Sequence, residues 1–138
     1  MSGIKGANTR PEMIIRSALH RKGFRYRLHV RKMPGKPDLV LARYNAVIFV
    51  NGCFWHGHDC HLFKWPKSRE EFWKNKIENN RNRDELVMQQ YKGSHWRVLT
   101  IWECALKGKH KQEYNALVGE AVSWLHSQKK ILEIQGKP

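Results

Sequence analysis

Two of the three cysteines and three of the eight histidines fall within eleven residues, Asn51-Gly52-Cys53-Phe54-Trp55-His56-Gly57-His58-Asp59-Cys60-His61. Thiols and imidazoles at this density suit a borderline-soft metal. A structural zinc ion takes four such ligands in a closed tetrahedron. Cys53, His58 and Cys60 supply three, and the remaining cysteine, Cys104, supplies the fourth if a strand end returns it to the loop. The Cys53–His58–Cys60 spacing differs from that of common zinc fingers, so the argument rests on the use of every cysteine in the chain. The alternative is three small buried thiols beside surface histidines. A polar, Gly-rich loop would gain most of its order from the metal. A site closed by four ligands leaves His56 and His61 free. His56, held in the same loop but off the metal, has the chemistry of a general base or acid near neutral pH. Phe54 and Trp55 add two flat apolar wedges.

Two acids stand apart from this loop. Asp38 follows the turn Pro34-Gly35-Lys36-Pro37 and opens an apolar strand, where a carboxylate can bind a hard divalent cation. Backbone carbonyls near Val50, on the neighbouring strand, would add oxygen ligands. An ordinary turn role fits Asp38 equally well. Glu12 is the only acid among the first 36 residues, and its position at a helix start is by itself explained by the helix dipole.

The elements that must position these groups read as follows. Thr9-Arg10-Pro11-Glu12 is a helix start, with Ile14, Ile15, Ala18 and Leu19 at helical spacing and Gly23 at the end. Tyr26, Leu28 and Val30 alternate within a strand over 25–30. Short apolar strands cover 38–42 and 46–50. A long helix runs from Ser68, as its cap, to Tyr91, and a strand spans 96–102. A last amphipathic helix covers 112–127. The order α-β-β-β-α-β-α predicts an α/β layer with a mixed sheet.

The 138 residues fit one domain. Lys and Arg number 26 against 12 acids, a formal net charge of +14, and ten of these cations lie in residues 1–36. Such an excess favours a polyanion, most simply nucleic acid. No window is long and apolar enough to cross a bilayer, and no signal peptide is apparent. A reducing compartment makes the three cysteines poor material for a disulfide framework. No apolar surface stripe is left over, so a monomer is expected.

Pro37-Asp38 followed by two strands resembles the PD-(D/E)xK nuclease core, although the expected E-x-K is missing because Val47-Ile48-Phe49-Val50 is wholly apolar. The loop Gly52-Cys53-Phe54-Trp55-His56-Gly57-His58 resembles the signature of the very-short-patch-repair (Vsr) DNA mismatch endonucleases. The likeness runs through Asn8-Thr9-Arg10-Pro11-Glu12, Pro34-Gly35-Lys36-Pro37-Asp38, Glu71-Phe72-Trp73, Arg83-Asp84 and Trp96-Arg97-Val98-Leu99 to Trp102-Glu103-Cys104-Ala105-Leu106, nearly the whole chain.

The resemblance implies a three-layer restriction-endonuclease-like fold: a central mixed β-sheet flanked by helices, with a structural zinc site, in a single domain over 1–138. It implies an enzyme that nicks one strand of duplex DNA 5′ to the T of a T:G mismatch, in the bacterial cytoplasm at the nucleoid, possible mismatch-repair partners included. Carried across, Asp38 is the Mg²⁺-binding carboxylate, helped by the Val50 carbonyl. His56 assists attack by water, and Glu12 is the second acid, acting on metal-bound water; this displaces the dipole explanation of Glu12. Cys53, His58, Cys60 and Cys104 are zinc ligands. Phe54, Trp55 and Trp73 wedge into the duplex beside the mismatch. Asn51 stands where some members carry a histidine or acid. Met1 and Ile4 align with a segment that reaches the minor groove, so the N-terminal arm is expected to be short. A zinc-stabilised DNA-binding module without catalysis, or a related nuclease without T:G specificity, are the rival readings.

Overall fold

The computed structural model describes residues 8–138, so the arm around Met1 and Ile4 lies outside the described residues. Helix α1 spans Arg10–Arg21, capped by Thr9, whose hydroxyl accepts the Glu12 N–H. Strands β1 (Arg27–Leu28), β2 (Leu39–Leu41) and β3 (Ala46–Asn51) follow as an antiparallel meander. Helix α2 (Glu70–Lys92) leads to β4 (Arg97–Trp102), and α3 (Tyr114–Leu125) leads to β5 (Ile131–Ile134). The sheet order is β1-β2-β3-β4-β5, with β3, β4 and β5 parallel. The sheet is therefore mixed, as expected.

Alternation along the strands divides the core. Leu39, Leu41, Ala46, Ile48, Leu99 and Ile101 pack with Ile15 and Leu19 of α1 and with Leu117, Ala121 and Trp124 of α3. The intervening Val40, Val47 and Val98 pack with Tyr91, Val87 and Met88 of α2. Two helices thus cover one face and α2 the other, the three-layer arrangement. Both parallel crossovers step the same way along the sheet yet land on opposite faces. They must therefore differ in hand, and one departs from the usual right-handed connection.

Three expectations change in detail. The strand over 25–30 shrinks to Arg27–Leu28: it begins two residues later, and after Leu28 the chain turns at His29, with φ 48°. Ser68 does not cap α2. The N-cap is Arg69, in the left-handed region at φ 56° with no side-chain cap bond, while Glu70 and Glu71 complement the dipole. Strand β5 was absent from the expected order.

Two local features fix the turn before Asp38. Met33-Pro34-Gly35-Lys36 closes with the Lys36 N–H on the Met33 carbonyl, 3.0 Å, and Gly35 has φ +71°. A Cβ at Gly35 would come within 2.8 Å of Val87 Cγ1 and 3.1 Å of the Phe49 ring, so the turn lies directly on β3 and α2. The Tyr91 hydroxyl, pushed up to about 12 by burial, donates to the Pro34 carbonyl. Farther away, the Arg97 guanidinium donates to the carbonyls of Tyr44, Trp124 and Leu125 and lies 4.3 Å over the Trp124 ring. It thereby ties the end of α3 to the start of β4.

Candidate active site

Asp38 stands just before β2 and accepts the Val50 N–H on Oδ2 at 2.7 Å. That bond brings the main chain of Val50 beside the carboxylate. Burial is the main cause that raises Asp38 to about 6, and nearby Glu12 adds to it, against the lowering effect of the Val50 bond. Glu12 is 1 % exposed on the first turn of α1. Its Oε1 accepts the Asn8 N–H at 3.0 Å, and its Oε2 lies 3.3 Å from Arg16 Nη1 and 2.7 Å from His29 Nε2. Ligand atoms of Glu12, His29 and Asp38 lie within 4.8 Å of one another. Two carboxylates here are the donor set that hard divalent cations prefer.

His56 faces the same cleft from the other side. Its Nδ1 lies 2.6 Å from Asp84 Oδ2 of α2. A carboxylate oxygen accepts here, so Nδ1 carries the proton, and in the neutral ring Nε2 keeps its lone pair. That is the tautomer a general base needs. Glu12, Asp38, Val50, His56 and Asp84 line one cleft of about 670 Å³, with Phe54 and Trp55 also in its wall. Asn51, the last residue of β3, lines it too.

The aromatics form a cluster rather than separate projections. Phe54 and Trp55 rings lie 5.1 Å apart, and Trp73 of α2 lies 5.4 Å from Phe54 and 5.6 Å from Trp55. Trp73 is outside the cleft lining and buttresses the other two. All three are half-buried. Phe63 stacks on Phe54 at 5.8 Å and carries Trp65, 47 % exposed, at 4.9 Å.

The thiols meet in a second cluster. Ligand atoms of Cys53, His58, Cys60 and Cys104 lie within 4.8 Å of one another. Cys104 Sγ is 3.7 Å from His58 Nδ1, and the Cys104 N–H donates to Cys53 Sγ at 3.3 Å. His58 Nε2 lies 2.9 Å from Gln135 Oε1, an acceptor, which leaves Nδ1 free to ligate. The Gly136 N–H donates to Cys104 Sγ at 3.2 Å. Burial raises Cys53 and Cys104, so the bare thiols stay protonated, and only a cation that binds thiolate would overcome this. Three thiols and one imidazole with its outer nitrogen held therefore fit zinc. His61 lies outside this set, packed on His110 at 4.4 Å and held below its ordinary value chiefly by desolvation and then by His110.

Sequence reasoning missed four residues here. Asp84 was noted only within a motif, and its helical spacing from Trp73, Ile77 and Asn80 was the available signal. Trp102 stacks on His58 at 4.0 Å and meets His56 edge-on at 6.0 Å, spacing the two histidines. His29 and Gln135 left no signal, because their partners are remote in sequence.

A five-stranded mixed sheet covered by helices on both faces, with Glu12 and Asp38 paired in one cleft, fits the restriction-endonuclease-like class of nuclease. Within that class the chain belongs to the Vsr family: the family model "DNA mismatch endonuclease Vsr" matches residues 1–62. The DNA mismatch endonuclease Vsr of Escherichia coli is 41 % identical over 125 residues, 91 % of this chain and 80 % of that protein. A type II nicking enzyme of Xanthomonas oryzae is 46 % identical over 106 residues, 77 % of this chain and 78 % of the relative. A type II nicking enzyme of Neisseria meningitidis is 40 % identical over 122 residues, 87 % of each.

Proposed function

We propose that this chain is a DNA strand-nicking endonuclease that cuts 5′ to the T of a T:G mismatch. The observation that carries the reading is one cleft holding Glu12, Asp38 and the His56–Asp84 pair, with Phe54 and Trp55 in its wall. The family and its nicking relatives support endonuclease action on DNA. The charge of +14 suits a phosphate backbone.

Asp38 and the Val50 carbonyl would hold a divalent cation, taken here as Mg²⁺. A bound Mg²⁺ supplies charge stabilisation to the phosphate oxygens and leaving group. His56 Nε2 takes the proton of the attacking water, and Asp84 holds the imidazole and steadies the charge it acquires. Glu12 orients water from the opposite side. Phe54 and Trp55, braced by Trp73, insert beside the mismatch. Unstacking costs a few kcal/mol per step and less at a poorly paired base, which favours T:G over T:A. Zinc on Cys53, His58, Cys60 and Cys104 is scaffold. One domain over 1–138, acting as a monomer in the bacterial cytoplasm at the nucleoid, completes the reading, with mismatch-repair proteins as candidate partners.

Labelled duplexes carrying T:G or T:A, with Mg²⁺ or EDTA, test it. Nicking confined to T:G, lost in EDTA and in Asp38→Ala, is the expected result. His56→Ala should lower the rate roughly 10²–10⁴-fold with zinc retained. Several relatives are named only as nicking enzymes, which favours one rival: cutting of matched and mismatched DNA alike would establish a nuclease without T:G specificity. Tight binding without any cutting would make the chain a zinc-stabilised binding module.

A further inference from the structure

His29 belongs to none of the groups so far given a role, yet its geometry is unusual. It has φ 48°, a conformation that residues with a side chain seldom adopt and that clusters at functional sites. Two bonds hold it there. Its N–H donates to the Asp38 carbonyl at 3.0 Å, one step beyond the pairing of Leu28 with Leu39. Its Nε2 lies 2.7 Å from Glu12 Oε2. Glu12 is 1 % exposed, and an ionised carboxylate only accepts, so Nε2–H is the donor. His29 is not part of the cleft lining, whereas Glu12 and Asp38 are. It grips one acid by its side chain and the other residue by its main chain, from behind both.

We propose that His29 is the positioning residue of the acid pair: it locks Glu12 of α1 against Asp38 of β2 so that both carboxylates face one divalent cation. An ordinary extended residue at this point would continue β1 and direct its side chain to one face of the sheet. The left-handed turn instead aims the ring at Glu12. Arg16 also reaches Glu12, but at 3.3 Å, a longer contact than the 2.7 Å of the imidazole. Partners that hydrogen-bond ligating carboxylates set cation affinity in other metal sites, where losing one costs about 10–100-fold.

The inference rests on the reading of Glu12 and Asp38 as a cation site, and the experiment separates the two. Zinc-loaded protein is mixed with a T:G duplex bearing an uncleavable linkage, and Mn²⁺ binding is followed by the electron paramagnetic resonance of the free ion. His29→Ala should weaken Mn²⁺ binding about 10–100-fold with unchanged Tm and zinc content. His29→Gln, whose amide can still donate to Glu12, should recover most of it. Wild-type Mn²⁺ affinity in His29→Ala overturns the proposal, as does failure of His29→Gln to bind better than His29→Ala. A lowered Tm with zinc loss in both variants also overturns it, by assigning His29 to folding. Asp38→Ala is the control: if it binds Mn²⁺ normally, the cation site itself is misassigned. If it loses Mn²⁺ while His29→Ala keeps it, only the role of His29 fails.

Discussion

Asp38 is kept at a cost to stability. Its carboxyl ionises at about 6 in the folded chain, against 3.8 as the ordinary value, mainly because burial disfavours the charge. The unfolded chain therefore releases this proton first. Stability falls as pH rises from about 4 through 6, and above that the loss is complete, about 3 kcal/mol in all. Asp38→Asn keeps an acceptor for the Val50 N–H and removes the charge. Without divalent ions it should melt several degrees higher than wild type at pH 8, with a smaller gain at pH 5, while nicking is abolished. Calorimetry at the two pH values checks this, and an unchanged or lower Tm at pH 8 would contradict it. The identity of Asp38 is legible in the sequence, whereas its burial and its nearness to Glu12 are set by the fold.

At the scale of elements, α2 organises the site. Trp73, Ile77, Asn80, Asp84, Val87 and Tyr91 recur at intervals of three and four along one face. From the N-terminal end, this face supports the aromatics, then the Cys/His loop, then His56, then the sheet. The loop docks closely: Asn80 donates to the Trp55 carbonyl at 2.8 Å, and Arg81 donates to the Gly57 carbonyl. Gly57 has φ +60°, and a Cβ there would lie 2.5 Å from Arg81 Nε and 2.6 Å from Ile77 Cγ2. Gly57→Ala should therefore destabilise by roughly 1–3 kcal/mol, through both strain and clash. It should also speed zinc transfer to a chelator, followed with a colorimetric dye. Transfer at the wild-type rate would show that the loop holds its shape without this contact. The helical period of α2 was legible in the sequence; the face it turned to the loop was not. The short apolar run Ile131–Ile134 was missed because four residues carry too little periodicity to separate strand from coil. The free edge of β4 makes it a strand.

For the whole molecule, the Cys/His cluster is a meeting point of distant segments. Cys53, His58 and Cys60 come from the connection after β3 and Cys104 from the turn after β4, while Gln135 and Gly136 reach it from beyond β5. Three chain segments far apart in sequence meet there. Stripping zinc with a strong chelator should lower Tm markedly and abolish nicking, and equimolar Zn²⁺ should restore both where millimolar Mg²⁺ does not. Metal analysis should return about one zinc per chain by the four-ligand argument. A chelated protein with wild-type Tm would remove zinc from the fold.

The sequence by itself determined the groups whose meaning is local or compositional. Cys53, His58 and Cys60 are bound to closeness by a few covalent links, Thr9 and Glu12 by a helical turn, and the basic excess by simple addition. Helix and strand periods likewise survive without a fold. Only the tertiary structure decided which sheet face each helix covers, that His29 grips Glu12, that Asp84 holds His56, and that Gln135 orients His58. Each of these pairs joins side chains 17 to 77 residues apart. Their meeting depends on strand register and helix rotation, and a slip of one residue in a strand would turn every side chain to the other face.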